Sequence, residues 1–166
     1  MGNEMDGNIN KVAETARVIL EELLHKLEIQ GSVEIGTADV MPGESEDETP
    51  IALEIKGEDL GVLIGRQGQT LASLQYIVRL IATSRTGIYT PLVIDVEGYR
   101  KRRDASLRAL ALRIAEQVKA NRTPFKMEPM PAYERRIVHL ALADHPDVET
   151  NSTGEGELRR VVISLK

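Results

Sequence analysis

The tetrapeptide Gly65-Arg66-Gln67-Gly68 restricts the fold of this chain more than any other feature, because it separates two apolar segments with helical spacing. A short apolar segment at residues 60–64 precedes it, and apolar residues recur at helical steps from Leu71 to about Arg85. Glycine lacks a Cβ, so a ligand can approach the backbone of this loop closely. The helix that follows directs its free N–H groups and the positive end of its dipole toward the loop, which suits a phosphate group.

Hydrophobic periodicity predicts the order helix, strand, strand, short helix, helix, strand for residues 10–97. The first nine residues show no periodicity and predict a flexible tail, and the first helix starts near Asn10. Two alternating segments predict strands that flank an acidic hairpin loop at residues 42–50, which is bounded by prolines. The third strand is predicted at residues 91–96.

Residues 98–166 predict a second unit of mixed helix and strand. A long helix runs to about Asn121, and a short extended piece follows at 125–130. A helix over about 132–144, which should bury Ile137, Leu140 and Ala141, precedes two closing strands. We therefore predict an α+β protein with a domain boundary near Glu97-Gly98.

Arg135 and His139 are four residues apart on a predicted helix and so share one face. Arginine offers a fork of donors to phosphate, and histidine adds a donor that becomes cationic below about pH 6.5. This predicts tighter phosphate binding at pH 6 than at pH 8, whereas the alternative is a solvated ionic face. Weaker candidates for phosphate contacts are Arg136, Arg100 and Arg103.

Charge is distributed unevenly along the chain, although the net charge is only -5. Acidic residues concentrate at 34–59 and basic residues at 100–122, so the basic helix is either a solvated face or the lining of a binding groove. Aromatic residues make up 3% of the chain, which disfavours a nucleic-acid reader built on a row of stacking rings.

Several classes of function are disfavoured by the motifs. The glycine spacing fits neither a dinucleotide-binding fingerprint nor a Walker A loop. The chain has no cysteine, His139 and His145 lack partners at metal-ligand spacing, and no serine lies in a nucleophile elbow. With no apolar run long enough to span a bilayer and no secretory signal, we expect a cytoplasmic protein without catalytic residues, metal or cofactor.

Two stretches resemble known nucleic-acid-binding domains. The glycine loop, within the predicted order of elements, resembles the type II KH domain (αββααβ), whose loop clamps about four nucleotides. The run from Pro129 to Leu142 resembles the R-3-H domain, which is named for the spacing of Arg135 and His139 and binds single-stranded nucleic acid. We therefore expect a type II KH domain at residues 10–97 and an R-3-H domain at residues 98–166.

Together these motifs resemble the Jag family of bacterial RNA-binding proteins (SpoIIIJ-associated protein, also called KhpB or EloR). Nine residues are too few for the additional N-terminal domain of longer members, so we expect the sequence to lack it. Pro131-Ala132 replaces the usual Asn-Pro, and Gly156-Glu157 replaces a frequent Glu-Pro, and both departures affect turns more than phosphate contacts.

The resemblance implies a single-stranded RNA-binding protein that regulates or chaperones transcripts and acts in cell elongation and division. It also implies a KH-only protein partner and a functional link to the membrane insertase. The candidate RNA contacts are the loop Gly65, Arg66, Gln67 and Gly68, an apolar groove with Val62 and Ile64, and Arg135 with His139.

Two other hypotheses remain open from the sequence. Type II KH domains also occur in ribosome assembly factors, and a KH groove can serve as a protein-interaction scaffold. Single-stranded DNA also remains a possible ligand beside RNA.

Overall fold

The computed structural model describes residues 2–37 and 51–166. The predicted acidic hairpin loop therefore lies outside the described residues. Within them the helices are α1 (Gly2–Lys26), α2 (Gly61–Ile64), α3 (Gln69–Thr86), α4 (Tyr99–Asn121) and α5 (Ala132–Leu142). The strands are β1 (Ser32–Thr37), β2 (Ile51–Lys56), β3 (Leu92–Val96), β4 (Phe125–Lys126), β5 (Val148–Thr153) and β6 (Arg160–Leu165).

The chain divides into two compact units, Met1–Arg100 and Lys101–Lys166. The boundary predicted from the sequence lies slightly earlier, between Glu97 and Gly98. Helix α4 begins in the first unit and continues in the second, because its first two residues pack and hydrogen-bond with the first unit. Both units combine helices with a sheet, so the α+β prediction is confirmed.

The first unit contains a three-stranded sheet in the order β1-β2-β3. Strand β2 pairs antiparallel with β1 and parallel with β3. Alternate residues of β2 are buried, and β3 is almost continuously buried. The sheet and the apolar faces of α1 and α3 share one hydrophobic core, which confirms the predicted order of elements.

Helix α1 begins at Gly2, well before Asn10, where the sequence predicts its start. Residues 2–9 were expected to form a tail without regular structure, and they continue the helix instead. Residues 7–10 are exposed, so the helix extends beyond its packed face. Once a helix is nucleated, each added residue gains a backbone hydrogen bond, and no proline interrupts this stretch.

The second unit has a three-stranded sheet in the order β4-β6-β5, with antiparallel pairing throughout. Its core lies between this sheet and the apolar faces of α4 and α5. The predicted burial on α5 is right for Ile137, but Leu140 is 48% exposed. The buried face of α5 instead carries Glu134, Val138 and Leu142, which lie roughly opposite Leu140 on the helix.

Candidate nucleic-acid interface

The glycine loop joins α2 to α3 through a single 3₁₀ turn at Arg66–Gly68. Gly65, Gln67 and Gly68 all have positive φ values, of 68°, 52° and 78°. A Cβ on Gly65 would collide with Thr70 Oγ1, and one on Gly68 would lie 3.1 Å from Tyr99 Cε1. Both glycines are thus required by local packing as well as by backbone conformation, and α3 starts at Gln69, directly after the second glycine.

Side chains around this loop reach solvent to different extents. Arg66 is exposed, and Val62 is 65% exposed at the preceding α2. Ile64 packs against the hydrophobic core and is only partly accessible. The loop therefore places a cation and an exposed apolar side chain within a short segment, while Ile64 contributes mainly to the core.

The predicted Arg135–His139 pair lies on α5, and β5 supplies two further side chains that contact the histidine. His139 Nδ1 lies 2.6 Å from Thr150 Oγ1, and His139 Nε2 lies 2.9 Å from Ser152 Oγ. Thr150 and Ser152 were not identified from the sequence as site residues. The sequence did contain a signal for them: Thr150 and Ser152 lie two and four residues after buried Val148. Every second residue of a strand faces the same side, so both should face α5 as Val148 does.

Burial lowers the pKa of His139 below its ordinary value, and the positive charge of Arg135 lowers this pKa further. Both hydroxyl partners can donate or accept, so they satisfy a neutral imidazole in either tautomer. The premise that His139 becomes cationic near pH 6.5 is therefore wrong: its protonation is displaced to lower pH. At neutral pH, His139 therefore carries no full charge toward an anion, and both of its ring nitrogens are already hydrogen-bonded within the domain.

Arg135 has an unsatisfied donor at this site. Its Nε atom is buried and has no hydrogen-bond partner among the residues that the structure describes. The neighbouring Arg136 is exposed. A buried donor without a partner is energetically unfavourable, and the guanidinium must reorient before this nitrogen can donate to a phosphate oxygen.

Arg100 and Arg103, both predicted as weaker phosphate contacts, form hydrogen bonds within their own units. Arg100 Nε donates to the Ile94 carbonyl oxygen at 3.1 Å, and its terminal nitrogen donates to Gln75 Oε1 at 2.7 Å. Arg103 pairs with both carboxylate oxygens of Glu134, at 2.8 and 3.0 Å. Their geometry favours structural roles over the predicted contacts with RNA.

The residues that the structure describes include neither a metal-binding cluster nor a helix that could cross a membrane. Residues 2–37 and 51–166 contain no group of three or more histidine and acidic side chains placed to hold a metal ion. Over these ranges, every helix falls short of the combined length and hydropathy that crossing a bilayer requires.

Comparison with protein families identifies two adjoining matches. The profile described as the KhpA/KhpB KH domain matches residues 14–94, and the R-3-H domain profile matches residues 105–165. The first match contains the glycine loop, and the second contains Arg135 and His139. Both domain types expected from the motifs are therefore confirmed.

Two curated relatives match more than three quarters of the chain. The chain is 44% identical over 128 residues to the RNA-binding protein KhpB of Clostridium symbiosum, covering 77% of this chain and 58% of that protein. It is 38% identical over 133 residues to the RNA-binding protein KhpB of Bacillus subtilis, covering 79% of this chain and 63% of that protein. The chain thus spans about three fifths of the length of these relatives.

Proposed function

We propose that this chain, which matches a KH domain followed by an R-3-H domain and is similar to RNA-binding proteins named KhpB, binds single-stranded RNA. The observation that carries this proposal is the glycine loop at the start of α3. A helix of 18 residues begins directly after Gly68, and exposed Arg66 precedes it. Free N–H groups, the helix dipole and a guanidinium favour a phosphate backbone there.

The R-3-H domain supplies a second set of phosphate contacts in this proposal. Arg135 presents a buried donor without a described partner, and His139 is fixed beside it by two hydroxyl groups. Exposed Arg136 adds a long-range attraction. Contacts to phosphate carry no sequence information and serve to position the RNA strand. The exposed side chain of Val62, near the loop, is suited to contact a base.

In the cell, this activity corresponds to regulating or chaperoning transcripts in the cytoplasm, with no chemical reaction carried out by the chain. A role in cell elongation, a KH-only protein partner and a link to the membrane insertase are further parts of the proposal. They rest on the resemblance to this family alone, and the RNA-binding experiments below do not depend on them.

The first experiment measures fluorescence anisotropy of a labelled single-stranded RNA titrated with the full chain. Duplex RNA and single-stranded DNA serve as competitors, and salt is varied between 50 and 200 mM. If each domain contacts about two phosphates, the logarithmic salt slope is about -2.8, so affinity falls roughly 50-fold over this range. Binding that is absent even at 50 mM salt would contradict the proposal.

A loop variant tests the KH contact directly. We expect Arg66→Asp with Gln67→Asp to weaken RNA binding at least about tenfold, because two carboxylates would face the phosphate backbone. The matched control is Arg113→Asp with Gln117→Asp, which makes the same two replacements at exposed positions of α4. An equal loss in both variants would indicate non-specific electrostatics and would contradict a specific loop contact.

Nuclease treatment separates the proposal from the protein-scaffold alternative. Partners captured by the full chain through RNA are lost after nuclease treatment, whereas partners of a protein scaffold persist. Co-sedimentation with ribosomal particles would instead favour a role in ribosome assembly.

A further inference from the structure

The segment Glu97–Arg100, here called the junction segment, lies between the two family matches, which end at residue 94 and begin at residue 105. By its contacts it belongs to the first compact unit. We propose that the junction segment completes the RNA-binding loop of the KH domain, and that Tyr99 is the positioning residue that fixes Gly68. This inference rests on the proposed function, because it concerns the same loop.

Tyr99 lies against the second glycine of the loop. A Cβ built on Gly68 would lie 3.1 Å from Tyr99 Cε1 and 3.4 Å from the Tyr99 hydroxyl oxygen. Gly68 is buried, and Tyr99 also packs against the core of the first unit. The tyrosine ring therefore covers the Cα of the residue that immediately precedes α3.

The loop needs such a contact because its own residues do not hold its backbone in this conformation. Gly65, Gln67 and Gly68 all have positive φ values, and two of the three are glycines with many alternative conformations. Residues in sparsely populated conformations persist only where their surroundings fix them. The ring of Tyr99 supplies this restraint at the end of the loop from which the N–H groups of α3 emerge.

The junction segment is anchored on its N-terminal side by Glu97. The Glu97 side chain accepts a hydrogen bond from the backbone N–H of Gly57 at 2.9 Å, and its backbone N–H donates to the Ile55 carbonyl oxygen at 3.1 Å. Glu97 and Gly98 have φ values of 50° and 67°. Two successive left-handed residues reverse the chain directly after β3, and this reversal brings Tyr99 onto Gly68.

Arg100 anchors the junction segment on its C-terminal side. Its Nε donates to the carbonyl oxygen of Ile94 in β3, and its terminal nitrogen donates to Gln75 Oε1 in α3. Gln75 Oε1 also accepts the backbone N–H of Ile94 at 3.0 Å. Arg100 therefore ties α3 to β3 immediately after Tyr99, so the ring is held from both sides along the chain.

This arrangement predicts how affinity depends on Tyr99. Without the ring, the unbound loop samples additional conformations, and RNA binding must then order it at a cost in affinity. We expect Tyr99→Ala to weaken binding of the labelled single-stranded RNA about tenfold, equivalent to about 1.4 kcal/mol. Tyr99→Phe keeps the ring and should retain more of the affinity than Tyr99→Ala. Tyr89→Ala is the control, since Tyr89 is 66% exposed.

A double-variant comparison distinguishes positioning from general stabilisation. In the background of Arg66→Asp with Gln67→Asp, Tyr99→Ala should cause no further loss of affinity, because the loop no longer contacts RNA. A similar tenfold loss in that background would overturn the proposal. Unchanged affinity of folded Tyr99→Ala in the unaltered background would overturn it as well, while loop-dependent RNA binding would still uphold the proposed function.

Tyr99→Leu provides a second readout where Tyr99→Ala does not fold. Leucine retains apolar packing against the core but lacks the planar ring over Gly68. We expect faster amide hydrogen exchange at Gly68 and Gln69 in the unbound full chain, with little change in the strands. Exchange at these amides equal to that of the unaltered chain would overturn the proposal, independently of any RNA measurement.

Discussion

At the scale of single residues, the imidazole of His139 is held between the hydroxyl groups of Thr150 and Ser152. This contact fixes the ring on the side of α5 that carries Arg135. Burial and the charge of Arg135 both favour the neutral ring, so they lower its pKa. The arginine–histidine spacing alone indicates an anion site, but the protonation state at neutral pH follows from the strand packed against it.

The lowered pKa of His139 predicts two pH effects. Between pH 8 and pH 6.5, RNA affinity should rise less than it would with an ordinary histidine, because the lowered pKa keeps more of the ring neutral across this range. The unfolded chain binds a proton near pH 6.5 while the folded chain does not, so His139 contributes stability above that pH which is lost as the pH falls. His139→Gln should reduce the pH dependence of the unfolding midpoint between pH 7 and pH 5.

Comparing anisotropy titrations and thermal melts of the two proteins at each pH measures both effects. An RNA affinity that rises steeply from pH 8 to pH 6.5 and loses this rise in His139→Gln would contradict a neutral ring.

At the scale of elements, α4 and α5 are joined by the pair of Arg103 and Glu134. The Glu134 side chain is fully buried, and the Arg103 side chain is 25% exposed. Both carboxylate oxygens are bound by the guanidinium, with Tyr133 also in contact. A buried carboxylate on α5 thus depends on a partner from another helix.

Removing Arg103 should therefore destabilise the protein more than removing an exposed arginine. We expect Arg103→Ala to lower the free energy of unfolding by about 3 kcal/mol, because a buried carboxylate loses its partner. Arg113→Ala, at an exposed position of the same helix, should change it by less than about 0.5 kcal/mol. Urea denaturation of both variants measures this difference, and equal small changes would contradict a structural role for Arg103.

The helices also show which parts of the structure follow from sequence pattern. The stripe of α5 predicted burial for Leu140 because the residue is apolar, but the packed face turns toward Glu134 and Val138. The buried Glu134 carboxylate is compensated by Arg103 from α4, and a contact so distant in sequence leaves no local periodic signal. The glycine loop, by contrast, was predictable, since its two glycines and the helix after it are local features.

At the scale of the whole molecule, the order of elements and the two domain types were predictable from the sequence. Hydrophobic periodicity and the two short motifs are local features of the sequence, and the structure and the family matches contain the elements and domains that they predict. The start of α1 was not predictable, because an exposed helical extension carries no apolar stripe. The role of the junction segment was equally hidden, since its contacts with Gly57, Gly68 and Gln75 connect positions far apart in the sequence.

If both units bind RNA as proposed, affinity should depend on the length of the RNA. Each unit alone has few contacts and little aromatic surface, so each should bind weakly. A strand that engages both units converts the second contact into an intramolecular one, which raises overall affinity by about 10² or more. We therefore expect affinity to rise sharply once a single-stranded RNA exceeds the length that one unit holds.

The variant with Arg66→Asp and Gln67→Asp should abolish this rise, leaving the weak binding of the R-3-H domain at every RNA length. Arg135→Ala should also abolish the rise of affinity with RNA length, because only the KH domain would then bind the RNA. Combining the two sets of substitutions should then cost less than the sum of the separate losses, because the first set already removes the advantage of linkage. Anisotropy titrations over a series of RNA lengths measure this directly. Additive losses with a shallow dependence on length would mean that the two domains bind separate RNA strands.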